Sequence, residues 1–128
     1  MNPTPPDSKE AHRKAATDFY KFLYSTNQSD LTNLTASSYT EHQISAGFTL
    51  AGLKNYAANR LQTISNHTLI IHRTLVQGNL VGLHMEEKIT SDSSVARMAL
   101  IRFDDNGKII EHWEAFQGEP STSANPNT

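Results

Sequence analysis

The chain has 128 residues, 37 % apolar and 19 % charged, with eleven basic and thirteen acidic side chains and a formal charge of −2. That length suits one domain, residues 1–128, with a core and room for an internal cavity. Neither sign of charge runs in a block, so a nucleic-acid footprint is missing, and the lack of cysteine excludes disulfides, thiolate catalysis and Cys-ligated metals.

The opening residues lack the apolar core of a signal peptide, and no apolar run approaches the roughly 18 residues of a membrane span. A cytoplasmic protein with no membrane association is expected. Residues 1–7 are Pro-rich and polar and read as an irregular tail. Asp7 and Glu10 have capping-box spacing, which starts a helix near Ser8. Its stripe is His12, Ala16, Phe19, Tyr20 and Leu23, at helical spacing. A short second helix over residues 30–37 has only Leu31 and Leu34 as anchors. Residues 39–47 read as a loop or half-turn. A third helix over residues 50–65 places Leu53, Tyr56, Ala57, Arg60, Leu61 and Ile64 on one face.

After Asn66 the apolar period changes from 3.6 to 2. Residues 68–76 and 80–89 form two strands across Gln77-Gly78-Asn79, and residues 95–103 and 108–117 form two more across Asp104-Asp-Asn-Gly107. Residues 118–128 are rich in Ser, Thr, Asn and Pro and read as irregular. Helices first and antiparallel strands afterwards point to an α+β fold.

A two-residue turn at Gly78-Asn79 pairs Gln77 with Leu80, Arg73 with His84 and Ile71 with Glu86. A four-residue turn at 104–107 pairs Phe103 with Lys108, which sets Ala99 opposite His112 and Arg97 opposite Glu114. One face then carries Arg97, Ala99, Ile101, Phe103, Ile110, His112 and Glu114. Apolar groups interleaved with a few ionisable ones suit a small-molecule pocket. The same pattern also describes surface ion pairs beside a plain core, with Glu114 bridged to Arg97. His112 and Glu114 lie two apart on one strand face, the placement a proton donor and acceptor need. Arg73 and His84 are a candidate pair for a carbonyl or carboxylate, and equally a cross-strand polar pair. Trp113 lies on the face opposite His112. None of the six histidines stands at ligand spacing, so no metal is expected unless His42, His84 and His112 converge in the fold.

The stretch Ile70-Ile-His-Arg-Thr-Leu-Val-Gln-Gly-Asn-Leu-Val-Gly-Leu-His84 and the run Ile101-Arg-Phe-Asp-Asp-Asn-Gly-Lys-Ile-Ile-Glu-His-Trp113 resemble SnoaL-like proteins of the NTF2-like superfamily. Phe19-Tyr20, Tyr39-Thr-Glu-His42 and the tail with Pro120 and Ser123-Ala-Asn fit the same resemblance. It implies a cone-shaped α+β barrel, a curved antiparallel sheet wrapped around three N-terminal helices with an internal pocket. It also implies a homodimer formed through the sheet, and no cofactor.

The activity it implies is that of a polyketide cyclase-like enzyme acting on a small hydrophobic carbonyl compound by acid/base catalysis, in aldol-type cyclisation or isomerisation through an enolate. Glu114, His112 and His42 are then the expected catalytic groups. Tyr39, Arg73, His84, Tyr20, Phe19 and Trp113 are the expected substrate contacts. Two departures stand out. Ala99 occupies a position where such proteins often have Asp, and the Tyr-x-x-His run continues with Gln43-Ile44 in place of Asn and Pro. A non-catalytic small-ligand module is the alternative. An epoxide hydrolase-like reaction ranks lower, because it needs two carboxylates and an Arg and only Glu86 offers the second.

Overall fold

The computed structural model describes residues 6–119; residues 1–5, the Asp7 side chain of the expected capping box, and 120–128 lie outside the described residues, and the first two residues of the expected irregular tail, Gly118 and Glu119, belong to the last strand. The chain runs α1 (Pro6–Leu23), a 3-10 turn (Gln28–Asp30), α2 (Leu31–Leu34), β1 (Thr35–Glu41), α3 (Leu50–Thr63), β2 (Thr68–Gln77), β3 (Leu80–Lys88), β4 (Ser94–Phe103) and β5 (Ile109–Glu119). The five strands form one sheet in the order β1-β5-β4-β3-β2, curved around the helices but not closed.

The apolar stripe of α1 is its core face: Ala16, Phe19, Tyr20 and Leu23 are all buried. His12, the first residue of that stripe, stacks on Phe103 with ring centroids 4.3 Å apart. Thr49 caps α3 by accepting a 3.1 Å hydrogen bond from the Gly52 amide, and Leu53 and Ala57 are buried on the inner side. Val81, Leu83 and Met85 of β3 and Ala99, Ile101 and Phe103 of β4 face them from the sheet.

Two expectations need correction. The sheet is mixed, because residues 35–41 form a strand where the end of the second helix and the start of a loop were expected, and that strand runs parallel to β5. Its sequence, Thr-Ala-Ser-Ser-Tyr-Thr-Glu, is too polar to show an apolar alternation. The second correction is of register. The β2–β3 pairing holds from Gln77↔Leu80 to Arg73↔His84, then shifts, so Ile71 faces Met85 and not Glu86. In the β4–β5 hairpin a shift between Arg102 and Phe103 slides the pairing, setting Ala99 opposite Glu114 and Ile101 opposite His112. The Asp104 carboxylate organises the turn, accepting 2.9 Å bonds from the Asn106 and Lys108 amides. The inner face keeps His112 and Glu114 but takes Ile109 in place of Ile110. No helix among the described residues is long and apolar enough to cross a membrane.

Candidate active site

A continuous chain of ionisable side chains crosses the inner side of the sheet. It starts on β1, where Tyr39 and Glu41 point the same way because they are two residues apart. The Tyr39 hydroxyl donates to Glu41 Oε1, and the Gln43 backbone N–H donates to Glu41 Oε2 at 2.8 Å. Glu41 Oε2 lies 2.7 Å from His112 Nδ1, and both side chains are fully buried. On its other side, His112 Nε2 is 2.5 Å from the Tyr20 hydroxyl, which also contacts Glu114 Oε1 at 2.7 Å. Parallel pairing of Glu41 with His112 across β1 and β5, with α1 packed above, brings the three elements together.

Glu114 continues the chain. Its Oε2 accepts from Arg97 Nη1 at 2.6 Å and from Gln43 Nε2 at 3.5 Å, and its side chain is 1 % exposed. Arg97 then reaches Glu87 Oε1 at 2.9 Å and the Tyr56 hydroxyl at 2.8 Å. Arg60 grips Glu87 with two bonds of 2.7 and 2.8 Å, and His67 Nε2 lies 2.7 Å from its Oε2. A buried carboxylate without donors would cost several kcal/mol, and here each one has at least three.

Protonation follows from the same contacts. Burial, then the charge and hydrogen bond of Glu114, push the Tyr20 phenol well above the ordinary tyrosine range. Tyr39 is pushed up by burial and by Glu41. Burial alone would raise Glu87, but hydrogen bonds from His67 and Arg60 and the Arg97 charge outweigh it and hold the carboxyl at about 2. Burial would likewise lower Arg97, and the facing Tyr24, Glu114 and Glu87 more than offset it.

A cleft of about 220 Å³ lies between α1 and β2, lined by Thr17, Tyr20, Lys21, Tyr24, His67, Leu69 and Ile71. It touches the buried chain twice, at Tyr20 and at His67. Tyr24 stacks on His67 across it, with centroids 4.9 Å apart.

No family model matches the chain, and no curated protein does. Solved structures do. A candidate polyketide cyclase from Bacillus cereus superposes with a TM-score of 0.73 at 22 % identity, over 84 % of this chain and 74 % of that one. A candidate SnoaL-like polyketide cyclase from Jannaschia gives 0.72 at 10 % identity over 91 % and 92 %. A steroid delta-isomerase from Pseudomonas aeruginosa gives 0.63 at 16 % identity over 84 % and 80 %. The fold is that of SnoaL-like and NTF2-like proteins.

Within this SnoaL-like fold, five of the nine site residues expected from sequence come together. Glu114, His112, Tyr20 and Tyr39 are members of the buried chain, and Phe19 packs its ring 5.4 Å from that of His112. The other four lie on the outer face of the sheet. His42 stacks on Trp113 with centroids 4.9 Å apart and contacts Glu111 at 3.1 Å, while Arg73 Nη1 contacts His84 Nδ1 at 3.0 Å. Hence His42, His84 and His112 do not converge. Glu86 is also on the outer side, against His72 and Lys88.

Sequence reasoning did not include Glu41, Gln43, Glu87 and Tyr56. Glu87 had a usable signal, since Val81, Leu83 and Met85 extend by alternation to it and not to Glu86. Glu41 was hidden with its strand.

Proposed function

We propose that this protein is a cofactor-independent enzyme that acts on a small hydrophobic carbonyl compound by acid/base catalysis. It removes a proton α to the carbonyl, and the enolate goes on to aldol-type cyclisation or isomerisation. One observation carries the reading: a buried chain of acid and base groups, Glu41–His112–Tyr20–Glu114, reaches an open cleft at Tyr20. The cyclase and isomerase names among the structural neighbours agree with it.

Tyr20 lines the cleft, and on this reading its hydroxyl is where protons enter and leave. The α-proton passes to the Tyr20 oxygen as the phenolic proton moves to Glu114 Oε1. His112, held by Glu41, supplies the donor on the other side of that oxygen. His42 and Arg73 have no part in this scheme, because the sheet separates them from Glu114. On the same reading the protein forms a homodimer through the sheet and works in the cytoplasm. The outer face supports the dimer with Leu75, Met98 and Leu100, all exposed.

The test is loss of α-protons in heavy water, followed by NMR, with a panel of ketones and β-ketoesters. Glu114→Gln and Tyr20→Phe should each slow exchange by roughly 100-fold or more, and His42→Ala should leave it unchanged. Undiminished exchange in Glu114→Gln would sink the proposal.

A second reading, a non-catalytic module for a small apolar ligand, is favoured by the Arg97–Glu114 bridge and by Ala99 in the position of the expected Asp. Here Glu114→Gln would leave ligand affinity nearly intact. An epoxide hydrolase-like reaction gains a second carboxylate on Arg97, since Glu87 stands where Glu86 was expected. Held at about 2, however, Glu87 is ionised at neutral pH and has no proton to give an opening epoxide.

A further inference from the structure

The contacts around Tyr20 set a proton count that the acid/base reading does not by itself require. His112 Nδ1 faces both oxygens of Glu41, at 2.7 and 2.9 Å. Those oxygens already accept from the Tyr39 hydroxyl and the Gln43 backbone N–H. Glu41 is thereby an acceptor on every side, and Nδ1 must carry hydrogen. At the opposite end, Glu114 Oε2 accepts from the Arg97 guanidinium and from Gln43 Nε2. That leaves two contacts at a single oxygen, Tyr20 to His112 Nε2 at 2.5 Å and Tyr20 to Glu114 Oε1 at 2.7 Å. Each needs a hydrogen between its heavy atoms, and a phenol supplies only one.

We infer that His112 and Glu114 share one additional proton across the Tyr20 hydroxyl. It has two placements. In the first, Nε2–H donates to Tyr20, Tyr20 donates to Glu114, and the pair is imidazolium and carboxylate. In the second, Glu114 is the acid that donates to Tyr20, and Tyr20 donates to a neutral His112. The two interconvert when the Nε2 hydrogen moves to the phenolic oxygen as the phenolic hydrogen moves to Oε1. No heavy atom is displaced, and protons and charge balance.

The groups facing this unit are fixed. Tyr39 and Glu41 come from β1, Phe19 and Tyr20 from α1, Arg97 from β4 and Gln43 from the loop after β1. Glu41 is a positioning residue: its carboxylate pins hydrogen on Nδ1, so all variation is confined to Nε2 and beyond. The meaning for catalysis rests on the acid/base reading. A site with a stored, mobile proton can accept one from a carbon at the Tyr20 oxygen, passing the phenolic proton on to Glu114, and return one there as His112 replaces it, without exchange with water.

The count is measurable on the protein alone, with no substrate. Protein labelled with 15N-histidine and 13C-glutamate would be studied by NMR at pH 7.5, where a free imidazole and a free carboxyl are mainly deprotonated. The 15N shifts of His112 report hydrogen on each ring nitrogen, and the 13C shift of the Glu114 carboxyl reports acid or carboxylate. The expected result is one proton beyond a neutral imidazole and an ionised carboxylate, seen as an imidazolium, a Glu114 acid or an average of the two. A neutral His112 beside an ionised Glu114 would overturn the inference in the wild-type protein itself. Tyr20→Phe should remove the extra proton and leave His112 as the Nδ1–H tautomer; retention of the proton there would show that Tyr20 is not the bridge. Failed α-proton exchange with the expected proton count would reject the enzyme reading and leave the shared proton standing.

Discussion

The two faces of the central strands carry the same kinds of side chain and use them in opposite ways. On the outer face Arg102, Glu111 and His42 form a ladder with contacts of 3.1 Å, each side chain about a third exposed. On the inner face Glu41, Glu87, Arg97 and His112 are fully buried and joined by contacts of 2.7–2.9 Å. Strand alternation alone decides which residue goes where: His112 and Glu114 turn inward, Glu111 and Trp113 outward. An exposed pair gains little, because water screens it and two long side chains must be ordered; a buried pair stabilises only while it is complete.

The largest expected difference is between the two arginines. Arg97→Met would leave Glu87 and Glu114 facing an apolar side chain at zero exposure, and should cost on the order of 3–5 kcal/mol in urea unfolding. Arg102→Met removes a contact of the same chemistry from Glu111 and should cost less than about 1 kcal/mol. Equal losses would abolish the distinction between the faces.

Acid should separate the faces next. Glu87 falls from an ordinary 4.5 to about 2 on folding, so the unfolded chain binds the proton more tightly. Its contribution is therefore complete above about pH 4.5 and is lost as pH falls from there towards 2. The difference corresponds to about 3 kcal/mol, and the side chain is fully buried, so screening does not reduce it. Unfolding free energy followed from pH 6 to pH 2.5 should drop steeply in the wild type. In Glu87→Gln the starting stability should be lower and the slope shallower by that amount. An unchanged slope would mean that Glu87 is not the group responsible.

Most of this architecture could be read in advance. The α1 stripe from Ala16 to Leu23, the two hairpins and the inward turn of His112 and Glu114 all follow from simple periods in the sequence. What could not be read has physical reasons. A bulge adds a residue without altering local composition, so the slide that sets Ala99 against Glu114 left no trace at Arg102-Phe103. β1 has no apolar alternation because its inward residues, Tyr39 and Glu41, bring a hydroxyl and a carboxylate to the polar chain. The side chain that fixes His112 was thus lost along with its strand. His42, Arg73 and His84 look like site residues by type alone; only the face they occupy excludes them from the chain, and that depended on register and on the unrecognised strand.

Salt offers the smallest and most selective contrast. Raising ionic strength from 0.01 M to 1 M shortens the screening length from roughly 30 Å to roughly 3 Å. Ions reach the Arg102–Glu111 pair, whose side chains are 36 % and 31 % exposed, so its coupling in a double-mutant cycle should fall by a few tenths of a kcal/mol. They do not reach Arg97, which is sealed between Glu87, Glu114 and Tyr56, so the loss caused by Arg97→Met should be the same at both concentrations. If that loss also shrank in high salt, water and ions would be entering the inner chain, and its protons would exchange with bulk solvent. The distinction between the faces would then be one of degree. If it holds constant, the inner chain is closed to the solvent, and protons of the Glu41–His112–Tyr20–Glu114 segment have to pass through Tyr20, its member that meets the cleft.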